Sequence, residues 1–535
     1  MGRRPAHRGA GRRHADGGAA HPGPGAAAQR IRRRRAGRLL HDGRLPGLLG
    51  LDGARRQAAR LQHHRHRIAP HRDAGGSVAS PAVIVIGAGP AGIRAAARLV
   101  EAGLRPVLID ENERSGGQIY RRQPAGFTRP ASALYGSEAA KAVALHAAAD
   151  ALAPRLDYRP GTLVWGIADG AVLTQRGDRL ERLPYAALIL CSGATDRIMP
   201  LPGWTLPGVY SLGAAQIALK AQACAIGSRV VFMGTGPLLY LVAWQYVKAG
   251  ATVAAVLDTS PSRRRVLAAA ALAARPAVLA QGLRYLAGLR RAGIPVLTGV
   301  TPLRIEGHGR VAGVVVSDRA GRERRVEADA VGLGYGLRSE TQLADLAKAR
   351  FGFDAVARQW LPETDADGRS SVPLVYLAGD GAVVRGADAA ELAGRLAACA
   401  ALRDLGHAVP EEEFSRLRAA LRPMSRFRQG LENGFPWPGH LAAMLPNETI
   451  ICRCEAITAG AIRRTVAETG APEMNRAKSL GRVGMGRCQG RICGLAAAEV
   501  IAAARGVPVE EVGQLRGAAP IKPLPLTAEL GPDEG

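Results

Sequence analysis

The chain has few aromatic residues, few cysteines and no long apolar run. Phe, Trp and Tyr together make up 4% of its 535 residues, so a packed core must draw mainly on the aliphatic side chains among its 47% hydrophobic residues. No unbroken apolar stretch reaches the roughly 18 residues that a membrane-spanning helix needs, so the sequence predicts no such helix. The seven cysteines suggest no disulfide framework, which favours a reducing, cytoplasmic location.

Acidic residues are scarce in the first 80 positions, which hold 18 arginines and four aspartates and carry +14 of the net charge of +27. This segment has no hydrophobic period and too few large apolar residues to fold. A basic arm for an anionic polymer and a targeting peptide are two interpretations, and translation assigned upstream of the true start is the favoured one. We therefore expect nothing functional in residues 1–79 and no nucleic-acid partner.

Four of the seven cysteines form two tight pairs near the end of the chain, Cys452 with Cys454 and Cys488 with Cys493. Thiolates are soft ligands that suit zinc or an iron–sulfur cluster. The first pair is closer than the spacing of about two to four intervening residues that is usual in structural zinc sites. Glycines around the second pair let backbone N–H groups approach sulfur. The pattern favours a [2Fe–2S] cluster, with zinc and four unliganded thiols as alternatives.

A first dinucleotide-binding unit begins with the apolar run 82–86, which predicts a buried parallel strand. Gly87, Gly89 and Gly92 follow in the G-x-G-x-x-G pattern, in which the glycines permit a tight turn, close approach of a pyrophosphate and close helix packing. An anion is favoured at the start of the following helix. Asp110, 23 residues after Gly87, is the expected acceptor for ribose hydroxyls, and Glu111 is the weaker candidate.

A second unit of the same kind begins at residue 229, but its third glycine position is a leucine. Gly234 and Gly236 follow a predicted strand, and Leu239 stands where helix and strand should approach closely. The unit therefore predicts an altered helix crossing. A second nucleotide at Gly234 and Gly236 and a scaffold that has lost its ligand both remain open.

Four short motifs in order resemble the two-dinucleotide-domain flavoprotein oxidoreductases, the class that includes glutathione and thioredoxin reductases. They are the Gly87–Gly92 loop, the Gly116–Gln118 turn, the Ser192–Gly193 segment and Ala378–Asp380. In that class the first unit binds FAD, and the resemblance places Asp380 on the ribityl chain. It assigns to FAD the residues Gly87, Gly89, Pro90, Ala91, Gly92, Asp110, Glu111, Gly117, Gln118, Gly193, Gly379 and Asp380. The redox-active Cys-x-x-Cys of the class is absent, so a disulfide reductase is excluded.

A narrower resemblance rests on residues 116–121, on residues 202–209 and on the cysteine segments 452–455 and 484–493. These are similar to the larger flavin subunits of bacterial amino- and imino-acid dehydrogenase complexes, which include opine oxidases, proline and hydroxyproline dehydrogenases and the cyanide-forming glycine dehydrogenase. The C-terminal module resembles the bacterioferritin-associated ferredoxin. This resemblance implies a [2Fe–2S] cluster held by all four paired cysteines.

The resemblance also implies partners. A separate FAD-dependent subunit would oxidise the amine carbon, a small ferredoxin-like subunit is a second candidate partner, and a respiratory acceptor at the membrane face would take the electrons. The sequence offers no recognisable catalytic acid, base or nucleophile. Two rival interpretations are a stand-alone NAD(P)H-dependent reductase and a non-catalytic FAD-binding scaffold.

The predicted fold class is α/β, with two Rossmann-like dinucleotide-binding domains, the second inserted in the first, and a small α-rich [2Fe–2S] module. The expected segments are a basic arm at 1–79, an FAD-binding domain at 80–205 and 330–425, a second dinucleotide-type domain at 206–329, a proline-extended linker at 426–446, the [2Fe–2S] module at 447–505 and a tail at 506–535.

Overall fold

The computed structural model describes residues 81–530, so the basic arm expected at 1–79 lies outside the described residues. The first part of the chain forms β1 (Ala82–Ile86), α1 (Pro90–Glu101), β2 (Val107–Ile109), α2 (Ala131–Tyr135), α3 (Ala139–Leu152), β3 (Asp157–Arg159), β4 (Leu163–Ala168), β5 (Ala171–Arg176), β6 (Arg179–Leu190) and β7 (Ala194–Asp196). Strands β3, β2, β1 and β6 lie side by side and run parallel, with β5 and β4 following β6. The buried apolar run at 82–86 is the central strand β1, as its continuous hydrophobicity predicts.

The middle part builds a second parallel sheet. Its elements are β8 (Val209–Ser211), α4 (Leu212–Ala221), β9 (Arg229–Thr235), α5 (Pro237–Lys248), β10 (Thr252–Asp258), α6 (Ser262–Leu267), α7 (Ala269–Leu272), α8 (Pro276–Arg291), β11 (Val296–Thr298), β12 (Thr301–Glu306), β13 (Gly313–Ser317), β14 (Glu323–Glu327) and β15 (Ala330–Tyr335). The sheet order is β11-β10-β9-β15-β8, and β12 to β14 form an antiparallel sheet of their own. We expected the first domain to resume at residue 330. That boundary is wrong, because β15 is buried between β9 and β8 and completes the second sheet.

The chain then returns to the first sheet. This part holds β16 (Leu337–Ser339), α9 (Gln342–Leu346), β17 (Phe351–Asp354), β18 (Gln359–Pro362), β19 (Val375–Leu377), α10 (Ala387–Asp404) and α11 (Glu411–Gly434). Strand β19 pairs with β6 in parallel, which confirms the predicted insertion of the second dinucleotide-type domain into the first. Helix α10 packs against α1 so closely that a Cβ at Gly394 would stand 1.9 Å from the carbonyl oxygen of Ala91.

Helix α11 contradicts the first part of the proline-extended linker expected at 426–446. The helix runs through Pro423 to Gly434. An internal proline costs about 3 kcal/mol or more, but the apolar face of α11 continues on both sides of it. Leu417 and Leu421 pack in the core of the first domain, and Phe427 packs on Ala268 and Leu272. Burial of this face therefore outweighs the lost backbone hydrogen bond.

The C-terminal module consists of α12 (Leu441–Met444), β20 (Ile450–Cys452), β21 (Ile457–Thr458), α13 (Ala459–Thr469), α14 (Met474–Gly481) and α15 (Gly494–Arg505). Its core residues, such as Met474 and Ile501, belong to the same buried cluster as Met233 and Leu333 of the second sheet. The tail expected at 506–535 adds β22 (Glu529–Leu530) beside β6. In the described part of the chain no helix combines the length and hydropathy required to cross a membrane.

Candidate functional site

The turn between β1 and α1 admits only glycine at two of its positions. A Cβ at Gly87 would stand 2.3 Å from the carbonyl oxygen of Cys191, and Gly87 has a φ of +103°. A Cβ at Gly92 would stand 1.7 Å from the carbonyl oxygen of Gly87. Helix α1 begins at Pro90 without a capping side chain, so the N–H groups of its first turn are available to an anion.

The other glycine motifs converge on this turn. A Cβ at Gly117 would lie 2.9 Å from the Cα of Gly89, and a Cβ at Gly381 would lie 2.5 Å from Ser192 Oγ. Apart from Gly193 and its two neighbours in sequence, no atom of the described chain lies within 4 Å of the point where a Gly193 Cβ would stand. The segments expected to hold FAD therefore meet at the carboxyl ends of β1, β6 and β19, and they leave open space of the kind that a dinucleotide requires.

Two carboxyl groups at the end of β2 have different surroundings. The buried Asp110 accepts a hydrogen bond from Ala88 N at 2.6 Å through Oδ2 and one from Asn112 N at 2.7 Å through Oδ1. Burial raises the pKa of Asp110 despite these bonds. Oδ1 also accepts a hydrogen bond from Asn112 Nδ2 at 2.8 Å, so Oδ2 is the oxygen that retains a lone pair for a ribose hydroxyl. The neighbouring Glu111 is exposed and ion-paired with Lys522 of the tail, so its carboxylate is already engaged.

Asp380 has one oxygen free for a ligand. Its Oδ1 accepts hydrogen bonds from the N–H groups of Arg385 at 2.8 Å and Gly386 at 3.0 Å, whereas Oδ2 has no partner among the described residues. Burial raises the pKa of Asp380. A hydroxyl donor such as a ribityl chain fits this oxygen. Gln118, by contrast, is exposed and accepts a hydrogen bond from Arg121 Nη2 at 2.7 Å.

The corresponding acid of the second unit is closed off. Asp258 is fully buried and accepts hydrogen bonds from the Tyr240 hydroxyl and, at 2.8 Å, from Ser260 N. Arg265 lies 3.4 Å from the same carboxylate and stacks on Phe435 from the end of α11. Burial raises the pKa of Asp258 even so.

Leu239, the leucine at the third glycine position, is also fully buried. It packs with Leu212 and Phe232 in the core of the second sheet. The helix and strand are thus separated by side chains at the point where the FAD-binding unit has a glycine.

The four paired cysteines come together between β20 and α15. Cys452 and Cys493 are 1% exposed each, Cys488 is half-buried and Cys454 is exposed. The Cys493 thiol contacts both Cys452 and Cys488, and Cys488 also contacts Cys454. No three His, Cys, Asp or Glu side chains in residues 81–530 are arranged to hold a single metal ion. Four sulfurs joined by a chain of contacts supply the two thiolates per iron that a [2Fe–2S] cluster needs.

Hydrogen bonds favour the thiolate form at two of these positions. The contact with Cys493, followed by the N–H group of Gly484, lowers the pKa of Cys452. The contact with Cys493, followed by the N–H group of Ile492, lowers the pKa of Cys488. Burial raises the pKa of the Cys454 thiol, and the contact with Cys452 raises the pKa of the Cys493 thiol. The thiolate is the form that binds metal, so this environment favours ligation at Cys452 and Cys488.

The glycines of this loop make room for such contacts. A Cβ at Gly486 would lie 2.3 Å from the Cβ of Cys454, and one at Gly490 would lie 2.0 Å from a methyl carbon of Leu515. The sequence predicted crowded glycines around the sulfurs but gave no signal for Leu515. That leucine packs over the loop from the segment after α15.

One residue beside the FAD motifs had no sequence signal. Lys220, in the last turn of α4, is 4% exposed, and its Nζ donates to the carbonyl oxygen of Ile119 at 3.2 Å. Burial lowers the pKa of Lys220 to about 8. A single lysine in an apolar helix belongs to no motif, so only the tertiary structure places it against the 116–120 loop.

Known families match both functional parts of the chain. Residues 81–399 match the family described as pyridine nucleotide-disulphide oxidoreductase, and residues 450–503 match the BFD-like [2Fe-2S] binding domain. The first match indicates FAD and the second a [2Fe–2S] cluster, which confirms both predicted cofactors. The individual FAD contacts and cysteine ligands remain predictions, supported by the geometry above.

Similar proteins cover most of the chain. It is 38% identical over 463 residues to an opine oxidase subunit of Rhizobium meliloti, covering 84% of this chain and 86% of that protein. It is 34% identical over 461 residues to the hydrogen cyanide synthase subunit HcnB of Pseudomonas aeruginosa, covering 83% and 97% respectively. The crystal structure of L-proline dehydrogenase from P. horikoshii shares the fold, with a TM-score of 0.60 at 21% identity over 83% of this chain and 78% of that one. The chain therefore belongs to the pyridine nucleotide-disulphide oxidoreductase family, among the flavin and [2Fe–2S] subunits that include HcnB and its opine oxidase counterpart.

Proposed function

We propose that this chain is the electron-transferring subunit of an amino- or imino-acid dehydrogenase complex, and that a separate flavin subunit oxidises the amine. One observation carries the proposal: a single chain contains three features. The first is an open FAD cradle, formed by Gly87, Gly89, Gly92, Asp110 and Asp380. The others are a second dinucleotide unit whose acid is enclosed and a cluster loop that bears the four paired cysteines. The similar proteins are themselves named as subunits, of opine oxidase, hydrogen cyanide synthase and sarcosine oxidase. FAD, when bound, supplies two-electron chemistry that is divisible into single electrons, and a [2Fe–2S] cluster supplies a one-electron site.

The chain's own residues bind and orient these groups. Gly87, Gly89 and Gly92 let the backbone approach the pyrophosphate at the start of α1. Asp110 is placed for the adenosine ribose, and the free Oδ2 of Asp380 is placed for the ribityl chain. The four paired cysteines are the proposed cluster ligands.

The second dinucleotide unit supports a protein partner as the electron source. NADH needs an acid at the end of the second strand to accept its ribose hydroxyls. Here Asp258 is enclosed by Tyr240, Ser260 and Arg265. A nucleotide would have to displace these hydrogen bonds and the stacking of Arg265 on Phe435. We therefore infer that NADH is not the donor.

The cluster loop has one edge that an acceptor is able to approach. Cys452 and Cys493 face the protein core, whereas Cys454 is exposed and Cys488 is half-buried. Arg453 and Arg487, next to these two thiols in sequence, are exposed and have no carboxylate within ion-pair distance among the described residues. The exposed edge is therefore the proposed exit for electrons to a respiratory acceptor.

Anaerobic mixing with NADH and with NADPH tests the proposal. The flavin absorbance of the purified chain is expected to stay unchanged on the time scale of turnover, and dithionite is expected to bleach it. Fast bleaching by either nucleotide would contradict the proposal and favour the stand-alone NAD(P)H-dependent reductase.

A further inference from the structure

One residue is bonded through its main chain to the segment assigned to FAD. Glu340, directly after β16, donates its N–H to the carbonyl oxygen of Gly193 at 3.0 Å. Its own carbonyl oxygen accepts a hydrogen bond from Ser192 Oγ at 2.6 Å. Strand β16 also pairs with β7, which follows Gly193 directly. The position of Glu340 is therefore fixed relative to the FAD segment.

The side chain of the same residue reaches the cluster loop. Its Oε2 accepts a hydrogen bond from Arg491 Nε at 2.9 Å, and both side chains are only 13% exposed. Arg491 lies between Cys488 and Cys493, and its Nη1 donates to the carbonyl oxygen of Ile521 at 3.0 Å. A mostly buried, hydrogen-bonded ion pair thus joins the cluster-ligand loop to the FAD segment.

Two contacts to backbone carbonyls flank this ion pair. Gln342 Nε2 donates to the carbonyl oxygen of Gln489 at 2.7 Å, and Arg338 Nη1 donates to the carbonyl oxygen of Arg491 at 3.1 Å. The Glu340 carboxylate is also the acceptor for Gln342 N at 3.2 Å. The side chains of Arg338, Glu340 and Gln342 therefore hold the loop 489–491. Of these three contacts, only the one between Glu340 and Arg491 is an ion pair.

We propose that Glu340 and Arg491 are positioning residues that hold the cluster-ligand loop against the FAD segment and so set the rate of electron transfer between the two cofactors. The inference rests on the proposed function. In each transfer the reduced flavin loses one electron and the oxidised cluster gains it, and no bond forms between the cofactors. Removal of one partner of a buried ion pair leaves an uncompensated charge, so the loop would shift to solvate it.

The test compares two neutral, near-isosteric changes in the full chain. Glu340→Gln removes the charge between the FAD segment and the cluster loop. Glu499→Gln is the matched control, because Glu499 is 7% exposed at the side chain and pairs with Arg358 at 2.9 Å. That pair also fastens the C-terminal module to the first domain, but the hydrogen bonds of Glu499 go to Arg358 and Trp437 and not to residues 488–493. Glu340→Asp, which keeps the charge on a shorter side chain, is the second variant.

Transfer is measured by following flavin and cluster absorbance after a brief, substoichiometric photochemical reduction. We expect Glu340→Gln to slow equilibration severalfold, because the rate of electron transfer falls steeply as the separation of the two cofactors grows. Glu340→Asp should be intermediate and Glu499→Gln unchanged. Cluster content and the low-temperature EPR spectrum should be the same in all, while hydrogen exchange in 488–493 should rise only in the Glu340 variants.

The outcomes separate this inference from the proposed function. Equal rates in wild type and Glu340→Gln would overturn the positioning role, as would equal slowing in Glu340→Gln and Glu499→Gln. If the wild-type chain itself shows no transfer between flavin and cluster, the proposed function fails. If Glu340→Gln does not fold, an unchanged rate in Glu340→Asp and in Arg491→Met would overturn the inference.

Discussion

Cys454 is the most exposed of the four proposed cluster ligands. Serine oxygen is a harder ligand than thiolate sulfur, so Cys454→Ser is expected to lose most of its iron and acid-labile sulfide while retaining FAD. Chemical analysis of both, with the visible spectrum, measures this. Cys224→Ser is the matched control, because Cys224 is also an exposed thiol but lies between α4 and β9. A full cluster in Cys454→Ser would contradict the ligand assignment.

Lys220 makes stability depend on pH in a defined direction. Burial lowers its pKa from 10.5 in the unfolded chain to about 8 in the folded one. The folded chain thus binds this proton less tightly than the unfolded chain. Lys220 therefore lowers the free energy of unfolding by its full amount below pH 8, and this loss disappears as the pH rises through 10.5. Lys220→Met should therefore raise the free energy of unfolding at pH 7 by on the order of 2–3 kcal/mol, with little gain at pH 10.5.

Denaturant unfolding at both pH values measures this difference. The exposed Lys248→Met, in the last turn of α5, is the control and should give the same small change at both. A gain from Lys220→Met that does not depend on pH would contradict the account.

At the scale of single elements, the crossing of α1 over β1 depends on one glycine. A Gly92 Cβ would overlap the Gly87 carbonyl, so Gly92→Ala is expected to lower both the melting temperature and the FAD content. Gly282→Ala in helix α8 is the control, since no described atom beyond its sequence neighbours and the adjacent backbone of its own helix lies within 4 Å of its Cβ position. There alanine should stabilise by about 0.5–1 kcal/mol. Thermal unfolding and released flavin measure both variants; normal FAD content in Gly92→Ala would contradict the assigned cradle.

The second dinucleotide unit shows which features of an element are predictable from the sequence and which are not. From Leu239 we predicted an altered crossing of α5 over β9. In the structure, buried side chains that include Leu239 lie between this helix and strand. The closure of Asp258 could not be predicted, because Arg265 approaches from α6 and Phe435 from the end of α11. Contacts between distant segments leave no local pattern.

Helix α11 and the tail show the same limit. Pro423 and the later prolines locally favour extended chain, but the apolar face of α11 decides for helix. The tail returns to the first domain through Ile521, which is buried with Ile84 and Ile109, and through β22. Neither long-range contact was visible in the sequence.

At the scale of the whole molecule, the order of motifs was sufficient to predict the fold class, the inserted domain and both cofactors. Glycine turns and cysteine pairs have fixed local spacing, so they are recognised from the sequence alone. The ion pair that links the two cofactor regions was not predictable, because Glu340 and Arg491 are 151 residues apart in the sequence. The FAD-binding segments and the cluster loop are thus held together by contacts between residues that belong to no sequence motif.

The most direct test of the central claim is the EPR signal of the reduced cluster after anaerobic addition of an amine substrate. Opines, proline, glycine and sarcosine are the compounds to try, with the chain alone and with the proposed flavin subunit added. The account predicts that the signal appears only when that subunit is present. Reduction of the cluster by an amine in the isolated chain would contradict it.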